Sequence, residues 1–244
     1  MDRHFIYEIK VAVHEERTYI SSLPIVKYLN KAKRLGFGQA VTFLVGENGT
    51  GKSTLIEAIA ACAGYNVEGG SKNFNFSTNH TESNLHQYIT IVKEAYEKDG
   101  FFLRAESFYN LASQVDQLML DLRGYGGKSL HEQSHGEGFL ALVQNRFKGD
   151  GLYILDEPES ALSPLRQLAL LVEMDRLVKN NSQFIIATHS PILMAFPGAV
   201  IYQITQGGIE AVEYENCGHY RMTRQFMNDP EGFLRRLFDA QGMS

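Results

Sequence analysis

The chain contains no tryptophan and only two cysteines, Cys62 and Cys217. Two distant cysteines in no ligand-like pair exclude a disulfide framework and a thiolate metal cluster, so a reducing compartment is expected. Cys62 lies in Ala58-Ile59-Ala60-Ala61-Cys62-Ala63 and reads as a buried free thiol. No apolar run reaches the roughly 18–20 residues that span a bilayer as a helix. Met1-Asp2-Arg3-His4 leads into no apolar signal segment. The expectation is a cytoplasmic protein without membrane insertion. Positive charge is not in excess either: 23 Lys and Arg against 28 Asp and Glu leave a net −5. That excludes a general basic surface for nucleic acid and leaves only local clusters. Two occur, at Lys31, Lys33 and Arg34 and at Arg221, Arg224, Arg235 and Arg236. Each reads first as a solvated face and second as a DNA groove.

What is present suits a single globular domain over residues 1–244, since 44% of the residues are hydrophobic and no internal repeat or low-complexity tail appears. Phe5 to Val13 predicts a strand, and the apolar run Val41 to Val45 a second. The second ends in a Gly-rich segment, followed by a helix from Lys52 to about Ala63 that Gly64 ends. Residues 67–82 read as an irregular connection. Leu85 to Glu97 and Phe108 to Leu122 are expected as helices, with a short strand at Phe101 to Arg104 between them. The glycines of Arg123 to Lys128 suggest a mobile loop, and Glu137 to Phe147 another helix. Leu152 to Leu155 reads as a strand buried on both faces. Ser163 and Pro164 then open a helix as N-cap and first residue. In it Leu165, Leu168 and Val172, and Leu171, Met174 and Val178, recur at helical spacing. A strand at Phe184 to Ala187 and a hairpin over Val200 to Glu213, turning at Gln206-Gly207-Gly208, follow. Two short helices split near Pro230 close the chain. Three buried strands thus end in chemical residues, Gly46, Asp156 and His189, and ligands of open α/β sheets bind at the carboxyl ends of strands.

Gly46-Glu47-Asn48-Gly49-Thr50-Gly51-Lys52-Ser53 matches G-x-x-x-x-G-K-[ST] throughout. The glycines let successive N–H groups face one anion, and the following helix adds its N-terminal dipole. Lys52 is expected on the β- and γ-phosphates, Ser53 on Mg²⁺, and Thr54 beside them in the cradle. The bland reading, a turn that merely joins strand to helix, does not explain the lysine and serine. A near match at Gly124 to Ser129 fails because Leu122 stands where the first glycine is required.

Leu152-Tyr153-Ile154-Leu155-Asp156-Glu157 places two acids at a strand end. Asp156 is expected on the metal with Ser53, and Glu157 on the attacking water as proton acceptor. His189, after the next strand, is a candidate to bond a γ-phosphate oxygen. Each could instead be an ordinary strand-end residue, and the shared polarity favours function.

In this order the residues resemble the ABC-type ATPase superfamily. The stretches are the P-loop, Ser134-His135-Gly136-Glu137-Gly138, Asp156-Glu157-Pro158, Ser160-Ala161-Leu162-Ser163 and Thr188-His189-Ser190-Pro191. Asn73 to Phe76, Phe102 to Ser107 and Ser129 to Ser134 are further similar to a bacterial family of small stand-alone ATPases of AAA/ABC type. The resemblance implies a P-loop α/β fold, a mostly parallel sheet flanked by helices, with an N-terminal antiparallel β portion. It also implies a helical signature subregion, at about residues 84–148. It implies ATP and Mg²⁺ as ligands and a homodimer closed by ATP. In that dimer Ser134 and the Gly136 N–H would cap the γ-phosphate held by the other copy. The chain departs from the pattern at His135, at Glu137 in place of glutamine, and at Ser163 in place of aspartate. No Q-loop glutamine is found, Glu106 standing near its place, and no aromatic is assigned to adenine.

The function expected is Mg-dependent ATP hydrolysis driving a dimer switch on an unidentified protein or DNA partner, in stress or phage defence among other settings. The alternative is the nucleotide-binding subunit of an ABC transporter, against which the departures count. No Asn-Lys-x-Asp stretch supports a GTPase. The interval from Lys52 to Ser134 shows no sustained heptads, which excludes the long arm of a chromosome-organising ATPase.

Overall fold

The computed structural model describes residues 4–12, 19–72, 84–117 and 127–241. Its strands in chain order are β1 (Ile6–Val11), β2 (Arg34–Gly36), β3 (Val41–Gly46), β4 (Ile89–Lys93), β5 (Asp99–Arg104), β6 (Gly151–Asp156), β7 (Gln183–Ala187), β8 (Val200–Thr205) and β9 (Gly208–Val212). Its helices are α1 (Tyr19–Ser22), α2 (Pro24–Ala32), α3 (Lys52–Ala63), α4 (Phe108–Gln117), α5 (His135–Arg146), α6 (Pro164–Lys179), α7 (Pro191–Met194), α8 (Gly218–Asn228) and α9 (Pro230–Gln241).

The apolar runs of β3, β6 and β7 are buried at every position. Strands of that kind belong inside a sheet covered on both faces. They form the middle of a six-stranded sheet, ordered β5-β6-β7-β3-β8-β9, parallel except for the terminal β8–β9 hairpin. The period of two splits each run between two cores. Phe43, Tyr153 and Phe184 face the side covered by α4, α5 and α6, with Leu111, Phe139, Leu142, Leu170 and Met174. Leu44, Ile154 and Ile185 face the other side, with Leu55, Ile56 and Ile59 of α3 and Ile25 and Leu29 of α2. Ile6 and Ile9 join this second core from an antiparallel sheet, β2-β1-β4. The buried Gln183 side chain ties the two sheets: it accepts from the Ile6 N–H and donates to the Ile6 and Phe37 carbonyls at 2.8 and 2.9 Å.

This is the α/β architecture expected, with the antiparallel β portion present. Leu85 to Glu97 is not a helix: Asn84–Tyr88 is a 3₁₀ turn and Ile89–Lys93 is β4. The β-branched run Ile89-Thr90-Ile91-Val92 favours an extended chain, and β1 offers it a ladder. Among the described residues of 84–148, the α-helices are α4 and α5. Residues 118–126, with most of the expected glycine loop, lie outside the described residues, as do Asn73 to Phe76. Leu165, Leu168 and Val172 of α6 are exposed, and the helix buries Gln167, Leu170, Met174 and Leu177 instead. The sequence reading did not identify α2. Lys31 lies in its last turn and Lys33 caps it, a placement the helix dipole favours without any nucleic acid. No helix among the described residues is long and apolar enough to cross a membrane.

Candidate active site

Gly46 ends β3 beside β8, where an added Cβ would stand 2.5 Å from the Ile204 carbonyl oxygen. The loop beyond it turns through Gly49 at φ +80° and Gly51 at φ +96°, a region that side chains disfavour. Thr50 Oγ1 closes the turn by donating to the Glu47 carbonyl at 2.8 Å. Lys52 opens α3 and is 4% exposed. Its Nζ donates to the Gly46 and Glu47 carbonyls at 2.7 and 3.2 Å. Burial lowers its pKa, against the pull of Glu157, Asp156, Glu47 and Glu159.

Ser53 Oγ donates to Asp156 Oδ1 at 3.1 Å, joining the start of α3 to the end of β6. Asp156 is nearly enclosed. Burial raises its pKa to about 7, opposed by Arg104 and the Ser53 hydrogen bond and assisted by Glu157 and Glu57. Arg104 Nε stands 3.4 Å from Asp156 Oδ2. Glu157 adopts φ +48°, a left-handed conformation that a non-glycine residue holds only under constraint. Its N–H donates to the Ala187 carbonyl of β7 at 2.9 Å, and its carbonyl accepts from the Ser160 N–H at 3.0 Å. Its Oε1 comes within 3.3 Å of His189 Nε2.

His189 is fixed from three directions. Its N–H donates to Glu159 Oε1 at 2.6 Å, and Thr188 Oγ1 donates to Glu159 Oε2 at 2.8 Å. Its Nδ1 lies 3.1 Å from Nε2 of His219, on the first turn of α8. Its Nε2 is buried and has no hydrogen-bond partner among the described residues. A cleft of about 300 Å³ opens over these groups, lined by Asn48, Gly49, Ser53, Thr54, Glu106 and Glu157 among others.

Of the expected site residues, Asn48, Gly49, Gly51, Lys52, Ser53, Thr54 and Glu157 line the cleft; Asp156 and His189 do not line it but contact Ser53 and Glu157, which do, and Ser134 and Gly136 do not line it. They begin α5 and pack on the segment after Glu157. A Cβ on Gly136 would stand 2.8 Å from the Ala161 carbonyl oxygen. Arg166 Nη1 donates to Ser134 Oγ at 3.3 Å and Nη2 to Glu137 Oε1 at 2.9 Å. Glu137 Oε2 accepts from the Ser134 N–H at 3.0 Å, forming a capping box. Hydrogen bonds from Ser134 and the charge of Arg166 hold the Glu137 carboxyl below its usual range. The acid at this position therefore serves the helix start. His135 stays exposed and meets the Phe108 ring edge-on at 5.1 Å. Ser163 is the N-cap residue of α6, but its hydroxyl makes no capping bond.

Sequence reasoning did not identify Arg104, Glu159, Arg166 or His219. Glu159 had a local signal, as a third acid in Asp156-Glu157-Pro158-Glu159. Arg104 ends β5, next to β6 in the sheet, and is readable only once that pairing is known. His219 and Arg166 are joined to the site by contacts distant in sequence.

Two family models match without a gap between them: an AAA domain over residues 25–136, and an "AAA domain, putative AbiEii toxin, Type IV TA system" over residues 137–195. The ribose import ATP-binding protein RbsA of Clostridium perfringens is 24% identical over 191 residues, 69% of this chain and 38% of that protein. An uncharacterized ABC transporter ATP-binding protein of Haemophilus influenzae is 27% identical over 184 residues, 67% of this chain and 69% of the relative. The chain thus spans well under half the length of RbsA. Among solved structures, a putative metal-chelate type ABC transporter in an inward-facing conformation aligns with a TM-score of 0.48 at 16% identity, covering 87% of this chain and 85% of that one. The SMC head domain from Thermotoga maritima aligns at 0.47 and 17% identity, covering 86% and 100%. With Ser53 of the P-loop bonded to Asp156 and Glu157 beside His189 at neighbouring strand ends, and with these sequence matches across residues 25–195, the chain belongs to the ABC-type P-loop ATPases.

Proposed function

We propose that the cleft binds ATP with Mg²⁺ and hydrolyses it, and that two copies close on ATP as a switch acting on a protein or DNA partner. The observation that carries this reading is the Ser53–Asp156 hydrogen bond at 3.1 Å beside the Glu157–His189 approach at 3.3 Å. A hydroxyl and a carboxylate side by side are hard oxygen donors suited to Mg²⁺. The ion supplies neutralisation of charge on the phosphate oxygens. Gly49 and Gly51, both at positive φ, give the loop the curled backbone of an anion-binding nest.

In this reading Lys52 exchanges its carbonyl partners for phosphate oxygens, and the N–H groups of Gly49 to Thr54 face the same anion. Glu157 orients the attacking water and accepts its proton. His189 turns its buried Nε2 to the γ-phosphate side of the cleft. Ser134 and Gly136 serve the facing copy's nucleotide, a role supported by their attachment to Ala161 and Arg166 outside the cleft of their own chain. The toxin–antitoxin wording of the second family model favours a partner in a stress or defence system.

Glu157→Gln tests the switch. It keeps ATP binding, stops turnover, and accumulates a dimer in Mg-ATP by size-exclusion chromatography with light scattering. A variant that stays monomeric at saturating Mg-ATP overturns the dimer. The resemblance to RbsA favours a second reading, a transporter's nucleotide-binding subunit. Its mark is co-purification with a polytopic membrane protein.

A further inference from the structure

His189 and His219 face each other through ring nitrogens, Nδ1 of the first and Nε2 of the second, 3.1 Å apart. A bond at this distance needs one nitrogen to carry a proton and the other a lone pair. The far side of His189 decides which. Its Nε2 is buried, 3.3 Å from a Glu157 carboxylate oxygen. A lone pair there would oppose a negative oxygen, and an N–H would be attracted to it. His189 Nε2 is therefore the protonated nitrogen.

From this geometry we propose that His219 is a positioning residue that, by donating its Nε2–H to Nδ1 while Glu157 faces Nε2, helps hold His189 in the Nε2–H form, so that a proton faces Glu157 and the nucleotide. When His189 is neutral, its Nδ1 is a lone pair and His219 Nε2–H donates to it. When His189 is an imidazolium, its Nδ1–H donates and His219 Nε2 accepts. One neutral imidazole serves both states by changing tautomer. The groups facing the pair are consistent with a neutral His219. Burial lowers its pKa, the His189 and Lys52 charges lower it further, and only Glu47 opposes them.

The placement gives His219 a second consequence. It stands on α8, against the wall of a cleft of about 340 Å³ that Gly46, Glu47 and Met222 also line. The proton on His189 thus depends on where α8 sits relative to the P-loop.

The proposal rests on the reading of His189 as a group that addresses the γ-phosphate, and its test separates the two. His219→Ala and His219→Gln are compared with the parent chain and with His189→Ala in two assays. The first is ¹⁵N NMR of the histidine rings without nucleotide, across pH 5.5–8.5. The parent His189 is expected as the Nε2–H tautomer. In His219→Ala the Nε2–H share falls, because only Glu157 still favours it, and in His219→Gln, whose amide can donate to Nδ1, the Nε2–H form returns. The second is steady-state turnover of Mg-ATP. His219→Ala is expected to lower kcat about tenfold, the scale of one lost hydrogen bond, with KM for ATP held within about twofold. His219→Gln recovers most of that loss. An unchanged His189 tautomer in His219→Ala overturns the proposal whatever the rates are. A changed tautomer with full activity in both His219→Ala and His189→Ala leaves the positioning intact and removes the catalytic reading of His189. Loss of activity through KM alone, with the tautomer kept, assigns His219 to nucleotide binding and overturns its positioning role.

Discussion

Replacing Gly51 by alanine tests the packing that shapes the phosphate cradle. Gly51 has φ +96°, and a Cβ added there would stand 2.5 Å from Ile25 Cγ2 and 3.3 Å from Leu23 Cδ1. Ile25 is fully buried in the first turn of α2, and its N–H donates to the Thr50 carbonyl at 3.2 Å, so it has little freedom to retreat. Two terms add. The left-handed backbone costs alanine about 1–2 kcal/mol, and forcing a methyl into a filled site costs about 1–3 kcal/mol. Gly49→Ala is the internal control. Its φ is +80°, yet nothing lies within 4 Å of the added Cβ, so it carries only the first term. In a chain of this size each kcal/mol lowers the melting temperature by about 2–4 °C. Circular-dichroism melts should therefore place Gly51→Ala about 2–12 °C below Gly49→Ala. Adding Ile25→Ala should recover the second term as a favourable coupling of about 1–3 kcal/mol in a double-mutant cycle. Equal melts for the two glycine variants, or zero coupling to Ile25, refute the packing of α2 against the loop.

Other perturbations address the chemistry. Arg166→Ala leaves Ser134 and Glu137 without their shared guanidinium. In a Glu157→Gln background, ATP-dependent dimerisation measured by light scattering should weaken about two- to fivefold, the scale of an exposed ion pair, with single-copy nucleotide affinity unchanged; an undiminished dimer refutes the role. Lys52→Ala should abolish binding of a fluorescent ATP analogue or weaken it at least tenfold, and affinity within twofold of the parent refutes the cradle. Asp156 has its pKa raised to about 7, so between about pH 4 and pH 7 the native chain holds a proton that the unfolded chain releases. Stability without metal is present below the unfolded value and falls as pH rises to about 7, by at most about 1.4 kcal/mol per pH unit. Urea denaturation of Asp156→Asn should lose that slope, and parallel curves for variant and parent refute the burial effect.

Much of the site was legible because its residues follow strands whose burial on both faces writes itself into the sequence. Val41 to Val45, Leu152 to Leu155 and Phe184 to Ala187 are runs with few polar interruptions, and each ends in a residue that does not belong in a core. The bounds of α3 were equally readable, since Gly51 and Gly64 both take the left-handed conformation at its ends. The helical reading of Leu85 to Glu97 failed because its apolar residues fit either period, and tertiary pairing with β1 decided between them. Glu137 looked out of place beside a triphosphate until Arg166, on another helix, supplied its partner. His219 carries no local mark at all. It matters only because the β8–β9 hairpin returns the chain and sets the start of α8 beside β8, where the Gly218 N–H bonds Gln203.

The order of the strands explains why the acid pair and the histidine meet. β7 lies between β3 and β6, and a strand spacing of about 4.8 Å sets the ends of β3 and β6 roughly 10 Å apart. Leu44 and Asp156 are both level with Ala187 in the ladder, so Gly46 runs two residues past the end of β7. The cradle is therefore raised above the sheet, and α3 returns over β7 far enough for Ser53 to reach Asp156. The residues that leave β6 and β7 must do so without losing their backbone bonds. Thr188 N–H is taken by Leu44 and Glu157 N–H by Ala187. Both are the last ladder bonds of their pairs; Glu157 turns left-handed immediately after its own, and its side chain comes to His189. The meeting of Glu157 and His189 is thus a product of strand adjacency, and the strain at Glu157 is the local expense of placing an acid beside the cleft while its neighbour Asp156 faces Ser53.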